Sequence, residues 1–245
     1  MKRLFSTVDG LLRGEYTSPE QLREGRVGVD LRLLIGAGLV LGATYGVFMG
    51  LYAALRPANS SLAQLLATTA KVPLLFLATL AVTLPSLYVF SALAGSRLRF
   101  VETLRLLLVG IVVDMALLAS FGPVTGFFTL STESYPFMIV LNVVCFTVGG
   151  LAGLIVIYRA LGVVVGGEEK QREPIPDDSS FRVPPPSKAR GIFLAWAMIY
   201  GAVGAQMGWI LRPFIGAPDL PFTLFRERQS NFFEAFFATL RQLFT

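Results

Sequence analysis

Polar and apolar residues follow one another along this chain in long blocks, not in short amphipathic periods. Residues 1–30 are polar with scattered leucines. Apolar blocks then cover about residues 31–55, 62–93, 101–121 and 137–165. A charged, proline-rich stretch over 166–189 separates them from a fifth block over about 192–215. Each block reaches the roughly 20 residues that an α-helix needs to cross a bilayer core of about 30 Å. Lipid cannot satisfy free backbone N–H and C=O groups, so such blocks predict helices. The predicted fold is an all-α membrane protein, a bundle of about five transmembrane helices with a C-terminal amphipathic interfacial helix. Its parts are an N-terminal segment (1–30), a four-helix transmembrane region (31–165), a charged linker (166–189), a fifth transmembrane helix (190–216) and a tail (217–245).

Local signals refine the blocks. Ser18-Pro19-Glu20-Gln21 and Ser61-Leu62-Ala63-Gln64 read as capping boxes, the first opening a short helix over 19–24. Pro73 and Pro85 predict kinks or an interruption in the second span. Residues 122–136 contain no lysine or arginine but hold Phe127, Phe128 and Tyr135, which predicts an interfacial loop with aromatic anchors. Asn231 caps a last helix that places Phe232, Phe233, Phe236, Phe237, Leu240 and Phe244 on one face. At about 15 residues it is too short to span, so it is expected in the membrane interface or on a partner subunit.

Small residues recur at helical spacing. Gly38, Gly42, Gly46 and Gly50 stand four apart in the first span. Ala197, Gly201, Ala205 and Gly208 do much the same in the fifth, and Gly149, Gly150 and Gly153 mark contact points in the fourth. Lipid gives helices no hydrophobic reason to associate, so small residues that let backbones approach identify packing faces. The first ladder predicts a tight contact within the chain or in an oligomer.

Composition sharpens this reading. Of the 245 residues, 54% are apolar and 15% charged, against about 25% charged in ordinary soluble domains. The net charge of +5 does not indicate nucleic acid, because the basic residues sit in short connectors and form no single patch. Their distribution sets orientation instead. Fifteen lysines and arginines lie on the side of the N-terminus and six on the other. That bias predicts the N-terminus inside, the linker cytoplasmic and the tail outside the membrane. Residues 1–10 lack the apolar core of a signal peptide. Arginine exceeds lysine, which hints at a GC-rich bacterial genome, and the expected location is then the bacterial inner membrane.

Candidate chemistry is sparse. The chain has no histidine and one cysteine, Cys145. His-dependent triads and His-ligated metal sites are excluded, as is an intramolecular disulfide. No cofactor, metal or catalytic residue is expected. Asp114 is the exception to an otherwise apolar picture, lying near the middle of the third span. A carboxyl at that depth is a candidate for binding a proton or a cation. The simpler reading, which is favoured, is helix glue, a protonated or hydrogen-bonded Asp bonded to Asn142 or Gln206. Lys71 lies nearer a span end, where snorkelling is expected.

The connector Gly95-Ser96-Arg97-Leu98-Arg99-Phe100-Val101-Glu102-Thr103-Leu104-Arg105 resembles that of bacterial Yip1-domain proteins, where a basic glycine-containing turn precedes the third helix. The five-span layout and polar N-terminus are also similar, over about residues 30–165. The linker and phenylalanine-rich tail depart from that family. The resemblance implies a membrane scaffold or adaptor and transfers no catalytic residues. The expected function is a non-catalytic scaffold or accessory subunit, embedded in the lipid bilayer and associating with itself or with other membrane subunits. The alternative is a small transporter or channel component that uses Asp114.

Overall fold

A computed structural model describes residues 2–18, 20, 22, 27–55, 61–93, 100–170, 186–217, 220–226 and 230–242. The described residues form seven α-helices and no strand: α1 (Lys2–Leu12), α2 (Leu31–Ala54), α3 (Leu62–Leu93), α4 (Phe100–Ser131), α5 (Tyr135–Lys170), α6 (Pro186–Leu211) and α7 (Phe232–Gln242). A single 3-10 turn, Glu15–Thr17, follows α1. Helices α2 to α6 are each long and apolar enough to cross a membrane. The all-helical bundle of five spans predicted from the blocks is thus observed.

Packing arranges these spans in a ring. Helix α2 lies between α3 and α4, α5 lies on α4, and α6 packs on α3 and touches α5. Helix α4 is the centre: two thirds of its most apolar stretch is buried, against about a tenth for α6. A helix buried on most sides inside an apolar solvent must be held by close contact, not by a hydrophobic stripe.

The glycine ladder supplies that contact. A Cβ built on Gly46 would stand 2.8 Å from the Thr68 carbonyl oxygen and 2.8 Å from the Thr69 Cα. At Gly50 it would meet the Leu65 Cα at 2.9 Å, and at Gly42 the Pro73 Cβ at 3.1 Å. Three of the four ladder glycines therefore seat α3 backbone on α2. Gly38 is looser, with Val112 of α4 its nearest neighbour at 4.0 Å. The ladder is spent within the chain and leaves no free face for a second copy.

Several boundaries differ from the expectations. The N-terminal segment contains α1, whose Thr7 and Leu11 are buried as the helix leans on α2 and α4. Its short length and mixed polarity hid it in the sequence. The helix expected over 19–24 lies largely outside the described residues. Helix α3 runs unbroken through Pro73 and Pro85. The interfacial loop expected over 122–136 is mostly helix, because α4 continues through Pro123 to Ser131 and leaves only residues 132–134 as connector. Pro123 itself is exposed, while Gly122, Thr125 and Thr129 of the same helix face the bundle, with Gly122 seated on Phe48 of α2. Phe127 and Phe128 consequently ride on the last turns of a helix, and Phe128 meets Phe137 edge-on at 5.1 Å.

Helix α5 runs to Lys170, five residues into the expected linker, and α6 starts at Pro186, the last of three consecutive prolines. Proline is preorganised for the first helical position. Residues 171–185 of the linker lie outside the described residues. Helix α6 stops at Leu211, before the end expected near 215, since residue 212 precedes Pro213 and is biased away from helix.

Gly46→Ala tests the α2–α3 seat, because the atoms it would strike are backbone. It should destabilise the fold by about 1–3 kcal/mol. Gly150→Ala, where a Cβ would meet nothing within 4 Å, is the matched control and should be neutral. Unfolding midpoints in mild detergent distinguish them, and equal midpoints would remove the seat.

Candidate functional site

Asp114 stands near the middle of α4 and is 3% exposed. Its carboxyl lies flat against α5 at Gly149: a Cβ there would overlap Oδ1. Gly153, one turn further, would bring a Cβ 3.4 Å from the Asp114 Cβ and 2.6 Å from the Gly110 carbonyl. The two glycines are the space in which the carboxyl sits. Both were marked in the sequence as contact points, but what they accommodate was not. Gly150, also marked, faces open space.

The helix-glue pairing does not form. Asn142 accepts a 2.7 Å hydrogen bond from the Tyr45 hydroxyl and donates at 2.8 Å to the Met138 carbonyl. Gln206 on α6 is half-buried and, among the described residues, hydrogen-bonds neither Asp114 nor Asn142. Oδ1 of Asp114 is buried with no hydrogen-bond partner. The Tyr200 phenol of α6 is close enough to interact with the carboxyl electrostatically. No ion pair joins Asp114 to Lys71.

Asn142 instead belongs to a second polar group on the same seam. Tyr45 of α2, Thr125 of α4 and Cys145 of α5 converge there, with Tyr45 and Thr125 both facing the Cys145 thiol. Thr125 Oγ1 is buried and, like Asp114 Oδ1, has no partner of good hydrogen-bond geometry. Cys145 lies one turn from Gly149, so both polar groups occupy one face of α5 between it and α4. Phe146 closes the group, edge-on to Tyr45 at 5.5 Å. Among the described residues no three of Cys, Asp and Glu converge as a metal site would require.

Sequence reasoning missed a second feature, a latch that holds the tail. Lys71 does not snorkel. It is 4% exposed, and Nζ donates to the Pro213 carbonyl at 3.0 Å and to the Leu224 carbonyl. The Phe225 ring lies 5.3 Å from Nζ. Gln64 also departs from its expected role. Its backbone N–H donates to Ser61 Oγ at 3.1 Å, as a cap requires. Its side chain turns inward, not back to Ser61, and donates to the carbonyls of Pro213 at 3.0 Å and Phe214 at 2.9 Å. Thr68 donates to Phe214 as well. Gly216, at φ +75°, makes the turn between these carbonyls and lies against Gln64 and Ala53. The spacing of residues 64, 68 and 71 on one face of α3 was the available signal; the partner carbonyls have none.

The remaining expected residues divide. On α6, Gly201 and Gly208 have no atom within 4 Å of a built Cβ, and Ala205 is half-buried. The packed face uses Trp196, which donates at 3.5 Å to the Thr83 carbonyl, and Gly204 against Thr79. On α7, Asn231 Oδ1 accepts from the Glu234 N–H at 3.0 Å, the cap the sequence indicated. Phe232, Phe236 and Leu240 are half-buried towards α5 and α6, while Phe233 and Phe237 are exposed. Phe244 lies outside the described residues.

At the opposite end Glu102 and Arg105 clamp the N-terminal segment. Glu102 accepts from the Val27 N–H at 2.9 Å and pairs with Arg105 at 3.0 Å.

Gly149→Ala should cost about 1–3 kcal/mol by displacing the carboxyl. In an Asp114→Ala background the same change should cost little, because the atom it strikes is gone. Additive losses in the double-mutant cycle would show that Gly149 serves another contact. Lys71→Met should release the tail, since a hydrogen bond from a charged donor contributes about 1.5–3 kcal/mol. Hydrogen exchange over residues 212–226 should then rise while that of α2 and α4 stays unchanged.

Compared with protein-family models, curated proteins and solved structures, the chain matches none, so the seam and the latch are interpreted from their own chemistry.

Proposed function

We propose that this chain is a non-catalytic scaffold or accessory subunit of a bacterial inner membrane, with its N-terminus inside and its tail outside. It associates through α6 with a second copy or with another membrane subunit. The open face of α6 carries this reading. Gly42, Gly46 and Gly50 are each filled by α3, whereas Gly201 and Gly208 meet nothing within the chain. A small-residue face on the least buried span is suited to a helix from elsewhere. The tail adds an apolar belt beside it, with Leu220, Phe222, Leu224, Phe225, Phe233 and Phe237 exposed. Such residues favour the membrane interface. The basic excess on the N-terminal side supports the orientation, and the Yip1-like connector is consistent with an adaptor role.

A second reading rests on Asp114. A small transporter or channel component needs a group inside the membrane that can change its charge, and this unpartnered carboxyl is one.

The scaffold reading predicts an assembly whose mass falls to that of one chain in a Gly201→Leu, Gly208→Leu double variant, with helix content unchanged. Native mass spectrometry from nanodiscs measures this. A single-chain parent with no bound subunit, or a double variant that keeps its assembly, would overturn it.

A further inference from the structure

Asp114 Oδ1 is a buried polar atom without a hydrogen-bond partner, Thr125 Oγ1 faces Tyr45 and Cys145 without a bond of good geometry, and both lie on the α4–α5 seam. A buried polar atom left unsatisfied costs about 1–3 kcal/mol, more for a charged group. Two on one seam call for a ligand that bonds in any direction. Water does so, typically with about three hydrogen bonds per buried molecule.

The seam also has the right spacing. Asp114 rests on Gly149, and Cys145 is one helical turn closer to the tail end, about 6 Å at 1.5 Å per residue. Asn142 is three residues further on, bonded to Tyr45. One water bridges polar atoms roughly 5.5 Å apart, twice an ordinary hydrogen-bond length. Along α5 these groups follow one another at about 6 Å and about 4.5 Å of helix rise, while on α4 Thr125 stands about 16 Å of rise from Asp114, so a file of waters and not a single one joins them. Beyond them Tyr52 donates to the Glu133 carbonyl at 2.8 Å, and the Tyr52 and Tyr135 rings lie 6.3 Å apart, at the end the tail covers.

We propose that the α4–α5 seam is a hydrated proton path ending on Asp114, whose carboxyl binds and releases a proton that water carries past Thr125, Cys145, Asn142 and Tyr45 from the tail end. This deepens the second reading by naming the proton as the ligand, and rests on its assignment of Asp114. In the step itself the carboxyl O–H bond breaks, its proton passes to a water as hydronium, and the electron pair stays on the carboxylate; uptake is the reverse. Around the carboxyl, α6 presents Tyr200, α5 presents two glycines and then Cys145, and α2 presents Tyr45 beyond them. No lysine, arginine or second carboxylate among the described residues contributes to its electrostatics.

The single cysteine makes the path observable in the unmodified chain. Cys145 provides the one thiol S–H stretch in the infrared spectrum, and a protonated Asp114 a carboxylic C=O stretch above the amide bands. Both are read in reconstituted membranes on transfer to D2O, against the backbone amides. The expected result is rapid deuteration of the thiol and the acid while the span amides remain protonated. The acid band should be missing in Asp114→Asn. Thr125→Val should slow deuteration of the acid by an order of magnitude. Absence of an acid band assignable to Asp114, or deuteration of acid and thiol only together with the backbone, would overturn the proposal. So would unchanged kinetics in a folded Thr125→Val. Proton flux is a separate measurement: an exchanging acid without flux keeps the proton site and removes the transporter.

Discussion

The close seat of α2 on α3 governs the rest of the molecule. With Gly42, Gly46 and Gly50 turned to α3, the rotation of α2 is fixed, and Tyr45 and Tyr52 are directed to the other side. Tyr45 reaches Asn142 of α5 and Tyr52 the Glu133 carbonyl just before it, so α5 takes its position from α2 as well as from α4. The same seat fixes the rotation of α3. Leu65 and Pro73 face the glycines, which leaves Gln64 and Lys71 for the tail and Thr79 and Thr83 for α6. In lipid, where apolar side chains gain nothing by leaving solvent, backbone approach at small residues is what can specify such rotations.

Polar groups inside the bundle are treated in two ways. Threonines along α3 return their hydroxyls to carbonyls one turn back, as Thr69, Thr79 and Thr83 do. Lys71 and Gln64 are satisfied by carbonyls of a non-helical segment, which is tolerable at this depth because protein, not lipid, surrounds it. Four buried side-chain atoms lack a hydrogen-bond partner among the described residues: Nε of Arg105 and of Arg212, whose guanidinium groups are engaged through other atoms, and Asp114 Oδ1 and Thr125 Oγ1 on the seam between the two helices that α2 holds together. The contrast argues that the seam's bare atoms are not a general looseness of packing.

The sequence made the architecture legible because span length and apolarity respond to the bilayer alone. Five spans, the Asn231 cap and the packing role of the glycine ladder follow from local pattern. Less was legible where two distant segments decide the outcome. The ladder could not say whether its partner was α3 or another chain. Continuation of α4 through Pro123 goes with the contact of Gly122 and Gly126 on Phe48 of α2, while a proline with aromatic company reads locally as a loop. Asp114 was legible as an oddity. Its unpaired state was not, since Asn142 stood at plausible depth and its engagement by Tyr45, 97 positions away, leaves no local trace.

Latch and seam share one end of the bundle, and this links the two unusual features. Arg226, two residues past the Leu224 carbonyl that Lys71 holds, reaches Tyr135 at the start of α5. The Arg226 N–H also donates to the Arg212 carbonyl, closing the segment on itself. The tail thus lies across the point where α2, α4 and α5 come together beneath Tyr52 and Tyr135. A cation held by carbonyls is a strong anchor but a local one, confined to a few atoms of α3. Loss of that anchor frees the Leu224 end of the segment, while Thr68, whose backbone meets Gly46 and whose hydroxyl bonds Phe214, keeps the Phe214 end tied to the glycine seat. The fold therefore separates a rigid element, the α2–α3–α4 packing, from a detachable one, the Leu224 end, and sets the polar seam between α4 and α5 at the boundary of the two.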